Sequence, residues 1–124
     1  MLKVQSRNLG TVAVLCLQGQ IVNGETEILR EAVHSLAEVS RVRAVILDFA
    51  RVTTIDAHGL GVMLTLREQV ESKGIRFELM NVNQRVSMVL KLTRLDSVFQ
   101  ITSAVGFLPA VSRSGRVRAF ASCA

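Results

Sequence analysis

Three apolar runs, Thr11–Leu17, Ala44–Phe49 and Ile75–Val82, recur roughly thirty residues apart, the length of one strand-helix-strand unit, and an amphipathic stretch fills each gap between them. Such an alternation leaves little choice of fold class. The run TVAVLCL is apolar on both faces and rich in β-branched residues, which suits a strand covered on both sides rather than one with a wet face. Gln18-Gly19-Gln20 then leads through Ile21 and Val22 to Asn23-Gly24, a turn signal. In the helix that follows, Ile28, Ala32, Val33 and Leu36 keep helical spacing, Glu25 and Glu27 suit the positive end of the dipole, and Arg41 and Arg43 follow the far end.

AVILDF, residues 44–49, reads as a central parallel strand, and the loop Ala50 to Asp56 leads into a second helix carrying Leu60, Met63, Leu64, Leu66 and Val70. Lys73-Gly74 ends it. Ile75 to Val82 predicts a third strand, and Asn83 caps a third helix with Val86, Val89, Leu90 and Leu95. Val98 to Ile101 predicts a last short strand. The sum is an α/β fold: one domain, a mostly parallel central β-sheet packed against α-helices, with right-handed crossovers.

The chain of 124 residues is the size of one domain, and a hydrophobic content of 49% suffices for one core. Fifteen basic against ten acidic residues leave +5, yet residues 1–107 hold twelve of the bases and all the acids. The excess therefore concentrates in 108–124, on Arg113, Arg116 and Arg118. With Pro109, the single proline, just past the last element, the expected division is a domain over 1–107 and a basic, flexible C-terminal tail over 108–124. Nucleic acid is a poor fit as partner, because aromatics are 4% with no Trp or Tyr on which bases could stack.

Cys16 and Cys123 make neither a metal spacing nor a disulfide framework, so reduced thiols and a cytoplasmic location are expected. MLKVQSRNLG lacks the apolar core of a secretory signal, and no run approaches about 18 apolar residues, so no membrane partner is expected.

The stretch VILDFARVTTIDAHGLGVML carries most of the functional information. A buried strand ends, the chain turns, and Asp56-Ala57-His58-Gly59-Leu60-Gly61 opens a helix at the carboxyl edge of the sheet, where α/β proteins usually place their sites. Free N–H groups and the dipole gather positive potential there, and Gly59 and Gly61 allow close approach of a partner. Asp56 reads as the helix cap.

This stretch resembles the strand, loop and "Asp-Ser-Ser-Gly-Leu-Gly" helix start of the STAS family, the domain shared by sulfate transporters and bacterial anti-sigma factor antagonists. LMNVNQRVSMVLKLTRLDSVFQI is similar to the family's last helix and strand, and the Gly19 turn fits as well. The resemblance spans roughly residues 3 to 107. It implies a protein-protein interaction module that regulates transcription by partner switching: an unmodified antagonist binds an ATPase-type anti-sigma factor, which is also its kinase, and phosphorylation of a serine just before Gly-Leu-Gly reverses the binding. The partner-binding residues implied are Asp56, Ala57, His58, Gly59, Leu60 and Gly61.

Two departures touch that surface. His58 stands at the position of the phosphorylated serine, with Ala57 in place of the motif's other hydroxyl, and the turn reads Gly19-Gln20-Ile21-Val22 where the family often has Gly-x-Leu-Asp. Serine phosphorylation therefore has no acceptor here, and His58 is expected to be a partner contact or a merely solvated residue that cannot be phosphorylated. The remaining phosphorylation candidates are Thr53, Thr54 and His58 itself, the threonines being read first as loop residues bonded to their own backbone. The alternatives are a scaffold component of a signalling complex and a weak anion or nucleic-acid binder acting through the basic tail.

No enzyme is expected. Asp56 and His58 have no serine or cysteine beside them, and Cys16 lies in a strand expected to be buried, so no nucleophile and base converge. No metal site is expected either, because the second histidine, His34, falls in a different helix. Nothing calls for a cofactor. Asp48, at the end of an apolar strand, is read as held by nearby N–H groups, and Met63 and Met80 as core filler.

Overall fold

The computed structural model describes residues 1–102. Five strands, β1 (Lys3–Leu9), β2 (Val12–Ile21), β3 (Ala44–Ile55), β4 (Arg76–Met80) and β5 (Gln100–Thr102), form one sheet in the order β1-β2-β3-β4-β5. Three helices connect the parallel part: α1 (Glu27–Ala37), α2 (Ala57–Glu71) and α3 (Gln84–Leu92). β2 to β5 run parallel and β1 is antiparallel to β2, so the mostly parallel α/β sheet expected from the apolar runs is present. Residues 108–124, the predicted tail, lie outside the described residues.

Period-two alternation explains how the strands build the core. Ala13, Leu15 and Leu17 of β2, Val45, Leu47 and Phe49 of β3 and Phe77 and Leu79 of β4 point to one face. There they meet Leu29 and Val33 of α1, Leu60, Met63 and Leu66 of α2 and Val86 and Leu90 of α3. All three helices thus cover the same face. The alternate residues Val14, Cys16, Ile46 and Met80 form a second, smaller buried cluster on the other face. β2 is accordingly buried on both sides, as its unbroken apolar run implies.

Four expectations need correction. The first strand in the chain is β1, which the sequence reading left without structure; it pairs Lys3 with Gln18 through Leu9 with Val12. Second, Ala50 to Ile55 continue β3 rather than forming a loop, because the second half of β2 supplies a ladder: Gln18 pairs with Arg51 and Gln20 with Thr54. Gly19 lies inside β2 at a register shift, with φ +115°, a conformation that suits glycine, and a side chain there would strike the carbonyl of Met1. Third, α3 ends at Leu92, before Leu95, and the last strand occupies Gln100–Thr102 rather than Val98–Ile101. Fourth, Cys16 takes part in a disulfide rather than standing as a reduced thiol.

Local signals placed the helix starts well. Asn83 caps α3 by accepting from the Val86 N–H at 2.9 Å, while its amide donates to the Val52 carbonyl at 2.6 Å. Asp48 accepts from the Ala50 N–H at 2.9 Å and from the Asn81 amide at 3.2 Å, as expected of a carboxylate held by nearby N–H groups.

Candidate functional site

Asp56 is the residue on which the start of α2 is built. Its backbone is extended and its carboxylate turns back over the first helical turn, accepting from the Gly59 N–H at 2.8 Å. The second carboxylate oxygen accepts from the Asn23 N–H at 3.1 Å, and the Asp56 N–H donates to the Ile21 carbonyl at 3.3 Å. One side chain therefore fixes the start of α2 and ties it to the turn after β2.

The two backbone bonds, Gly59 first and Asn23 second, hold the Asp56 carboxyl below its ordinary value, with the nearby His58 adding a smaller pull in the same direction. A carboxyl whose folded pKa is depressed contributes stability that is fully present above its unfolded value, and the contribution is lost as pH falls through the folded value. Asp56→Asn is therefore expected to flatten the acid limb of the stability curve below about pH 4 and leave its shape near neutrality unchanged. Denaturant midpoints measured from pH 2.5 to 7 for both proteins check this, and an unchanged acid limb would count against the arrangement.

His58 follows on the exposed side of the same turn. Its Nε2 lies 3.4 Å from the Thr26 hydroxyl. Thr26 is the residue before α1, yet its side chain makes no cap bond to that helix, and it is 6% exposed. The starts of α1 and α2 thus meet through this pair. Ala57 and Gly61 are exposed as well, whereas Gly59 and Leu60 are buried.

Gly59 has a different task from the one its position suggested. The close approach it permits is internal: a Cβ there would strike the carbonyl of Ile21. Gly61 faces open space.

The two threonines are placed by β3 rather than by a loop. Thr53 is exposed and donates its hydroxyl to the Gly19 carbonyl at 3.2 Å; Thr54 is half-buried. Asn23 and Thr26 are the residues that sequence reasoning missed. Asn23-Gly24 signalled a turn, but nothing local signals that the turn reaches across to α2.

Among the described residues, no three His, Cys, Asp or Glu side chains cluster as metal ligands. His34 is remote from His58 and sits 2.7 Å from Gln69, beside a cavity of about 360 Å³ at the far ends of α1 and α2. No helix among the described residues is long and apolar enough to cross a membrane.

Comparison with known proteins agrees with this architecture. A candidate anti-sigma factor antagonist of Thermotoga neapolitana is 34% identical over 61 residues, covering 49% of this chain and 54% of that protein. The chain thus spans about half the length of the curated relatives it matches. Among solved structures, the anti-sigma factor antagonist SpoIIAA in its unphosphorylated form superposes with a TM-score of 0.72 at 20% identity, over 91% of this chain and 97% of that one. The same Bacillus protein, a cell fate determinant, in its phosphorylated form gives 0.66 at 20% identity over 90% and 99%. At such identities the likeness establishes the fold. The sequence model of the STAS domain matches residues 3–108 of the 124, and the protein therefore belongs to the STAS domain family.

Proposed function

We propose that this chain is an interaction module of the anti-sigma factor antagonist type, which binds an ATPase-type anti-sigma factor through the start of α2 and is not switched by serine phosphorylation. The observation that carries the reading is the exposed imidazole of His58 on the first turn of α2, bonded to Thr26, where a switched member of the family presents a serine hydroxyl. The partner surface comprises Asp56, Ala57, His58 and Gly61, with Gly59 and Leu60 beneath them holding the turn against β2. Names of the relatives support the protein partner, and SpoIIAA in two phosphorylation states supports a family in which that modification matters.

The neighbouring hydroxyls favour a constitutive state. Thr53 is engaged with a backbone carbonyl, Thr54 lies along a strand, and Thr26 is buried against His58, so none stands free at the helix start. The module then acts by abundance and by competition with other antagonists, in the cytoplasm, without catalysis of its own. No observation on the described residues favours the alternative roles, a scaffold of a signalling complex or an anion binder acting through Arg113, Arg116 and Arg118.

The test pairs wild type with His58→Ser, each incubated with a cognate ATPase-type anti-sigma factor and ATP. Wild type is expected to form a stable complex and keep its intact mass. The variant is expected to accept a phosphoryl group, its hydroxyl oxygen bonding the γ-phosphorus as ADP leaves and the proton passes to solvent, and then to dissociate. About −1.5 to −2 of charge introduced into the interface is enough to oppose binding. A phosphoryl group on wild-type Thr53, Thr54 or His58 would refute the constitutive state. Failure of both proteins to bind would refute the antagonist role.

A further inference from the structure

Thr26 is 6% exposed and its side chain makes no cap bond to α1, so the Nε2 of His58, at 3.4 Å, is the one polar partner its hydroxyl has among the described residues. A buried hydroxyl needs an acceptor for its proton. If Nε2 carried the ring proton, the Thr26 oxygen could only accept from it, and the hydroxyl proton would be left buried with no acceptor. The neutral ring therefore keeps Nε2 bare, and the Thr26 hydroxyl donates to it.

We propose that Thr26 is a positioning residue that fixes His58 in its Nδ1–H form, so that the start of α2 offers a partner hydrogen-bond donors. Which ring nitrogen holds the proton is set by the bond the other one makes. Nδ1 has no hydrogen-bond partner among the described residues, and His58 is exposed. Asp56 is the nearby acceptor, and its two oxygens are already taken by the N–H groups of Gly59 and Asn23. Exposed Ala57 and His58 add their own N–H groups, because the first N–H groups of a helix have no acceptor within it. The partner group that fits is an acceptor oxygen, carbonyl or carboxylate. An ammonium or guanidinium does not fit.

The same arrangement bears on modification of His58. A phosphoryl group is accepted through the lone pair of a ring nitrogen. Here the Nε2 lone pair faces Thr26, and a protonated Nδ1 has none to give. The imidazole thus presents no nucleophile at the surface, which extends the constitutive state from the missing serine to the histidine that replaces it.

The form of the ring belongs to the free protein, whereas its meaning for a partner rests on the antagonist role proposed for this chain. Two measurements keep these apart. At about pH 8, where an ordinary imidazole is neutral, the ring-nitrogen NMR shifts of His58 are expected to show Nδ1 protonated and Nε2 bare. His34, whose Nε2 lies 2.7 Å from Oε1 of Gln69, a pure acceptor, is expected in the opposite form and serves as the internal reference. Thr26→Val removes the donor, and His58 is expected to change to the Nε2–H form that a free imidazole prefers while His34 does not change. Thr26→Ser keeps the hydroxyl and is expected to keep the Nδ1–H form. A wild type in the Nε2–H form, or a ring unaltered in Thr26→Val, would overturn the proposal.

Binding to a cognate ATPase-type anti-sigma factor reads the consequence. Thr26→Val is expected to bind about fivefold more weakly than wild type, the effect of one hydrogen bond, and Thr26→Ser to recover most of that loss. Equal affinity of all three proteins would overturn the role of the ring as a donor to the partner. Absence of binding by all three would refute the antagonist role instead, and the ring measurements on the free protein would still decide the part played by Thr26.

Discussion

Gly59→Ala is expected to lower stability by about 3 kcal/mol or more, even though the same exchange at an unconstrained helix position is favourable by about 1 kcal/mol. The sign turns on what the new methyl meets. At Gly59 it meets the Ile21 carbonyl, a backbone atom that no rotamer change can move aside. Relief requires the first turn of α2 to shift away from β2. That shift would pull the Gly59 N–H from Asp56, and with it the bonds from Asp56 to Asn23 and Ile21.

A loss of this size is a large share of the total stability of a small domain. It corresponds to a fall in Tm of roughly 10–20 °C. Gly61→Ala is the matched control, since a Cβ there faces open space, and it is expected to raise stability by about 0.5–1 kcal/mol. Thermal unfolding of the two variants beside wild type gives the answer, and effects of equal sign would refute the packing described for Gly59.

Phe77→Ala carries the second large effect, about 3–5 kcal/mol. Phe77 is fully buried in β4, and its ring stands 6.4 Å from that of Phe99 at an interplanar angle of 42°. Phe99 directly precedes β5, a strand of three residues with few ladder bonds of its own. Removing the Phe77 ring therefore opens a cavity in the main core and loosens the anchor of the edge strand together. Denaturant unfolding of Phe77→Ala, Phe99→Ala and the double variant is expected to show a coupling of about 0.5–1.5 kcal/mol. Strict additivity would mean that the two rings do not support each other.

What could be read from the sequence was whatever depends on residues near one another along the chain. Asp56 and Asn83 announced their helices because a cap bonds N–H groups three residues away. β2, the first half of β3 and β4 announced themselves because strands buried on both faces are apolar throughout. β1 did not, because Lys3, Gln5, Arg7 and Asn8 give it no apolar face, and it exists by pairing with an edge that only the folded sheet provides. Arg51 to Thr54 were hidden for the same reason, being strand residues only by virtue of the second half of β2. The site follows the same rule: the helix start was legible, but the meeting of Thr26 with His58 spans 32 positions and has no local signature.

The strand order has a consequence for the kind of ligand this protein can take. In an open α/β sheet a small molecule usually lodges in the crevice that opens where the strand order reverses and successive crossovers diverge to opposite faces. Here the described strands follow one another without reversal and the three helices share one face, so no such divergence occurs. The carboxyl edge of the sheet consequently ends in a shoulder made of the first turns of α1 and α2. A shoulder of that shape offers a small molecule little enclosure, and it suits recognition by another folded surface.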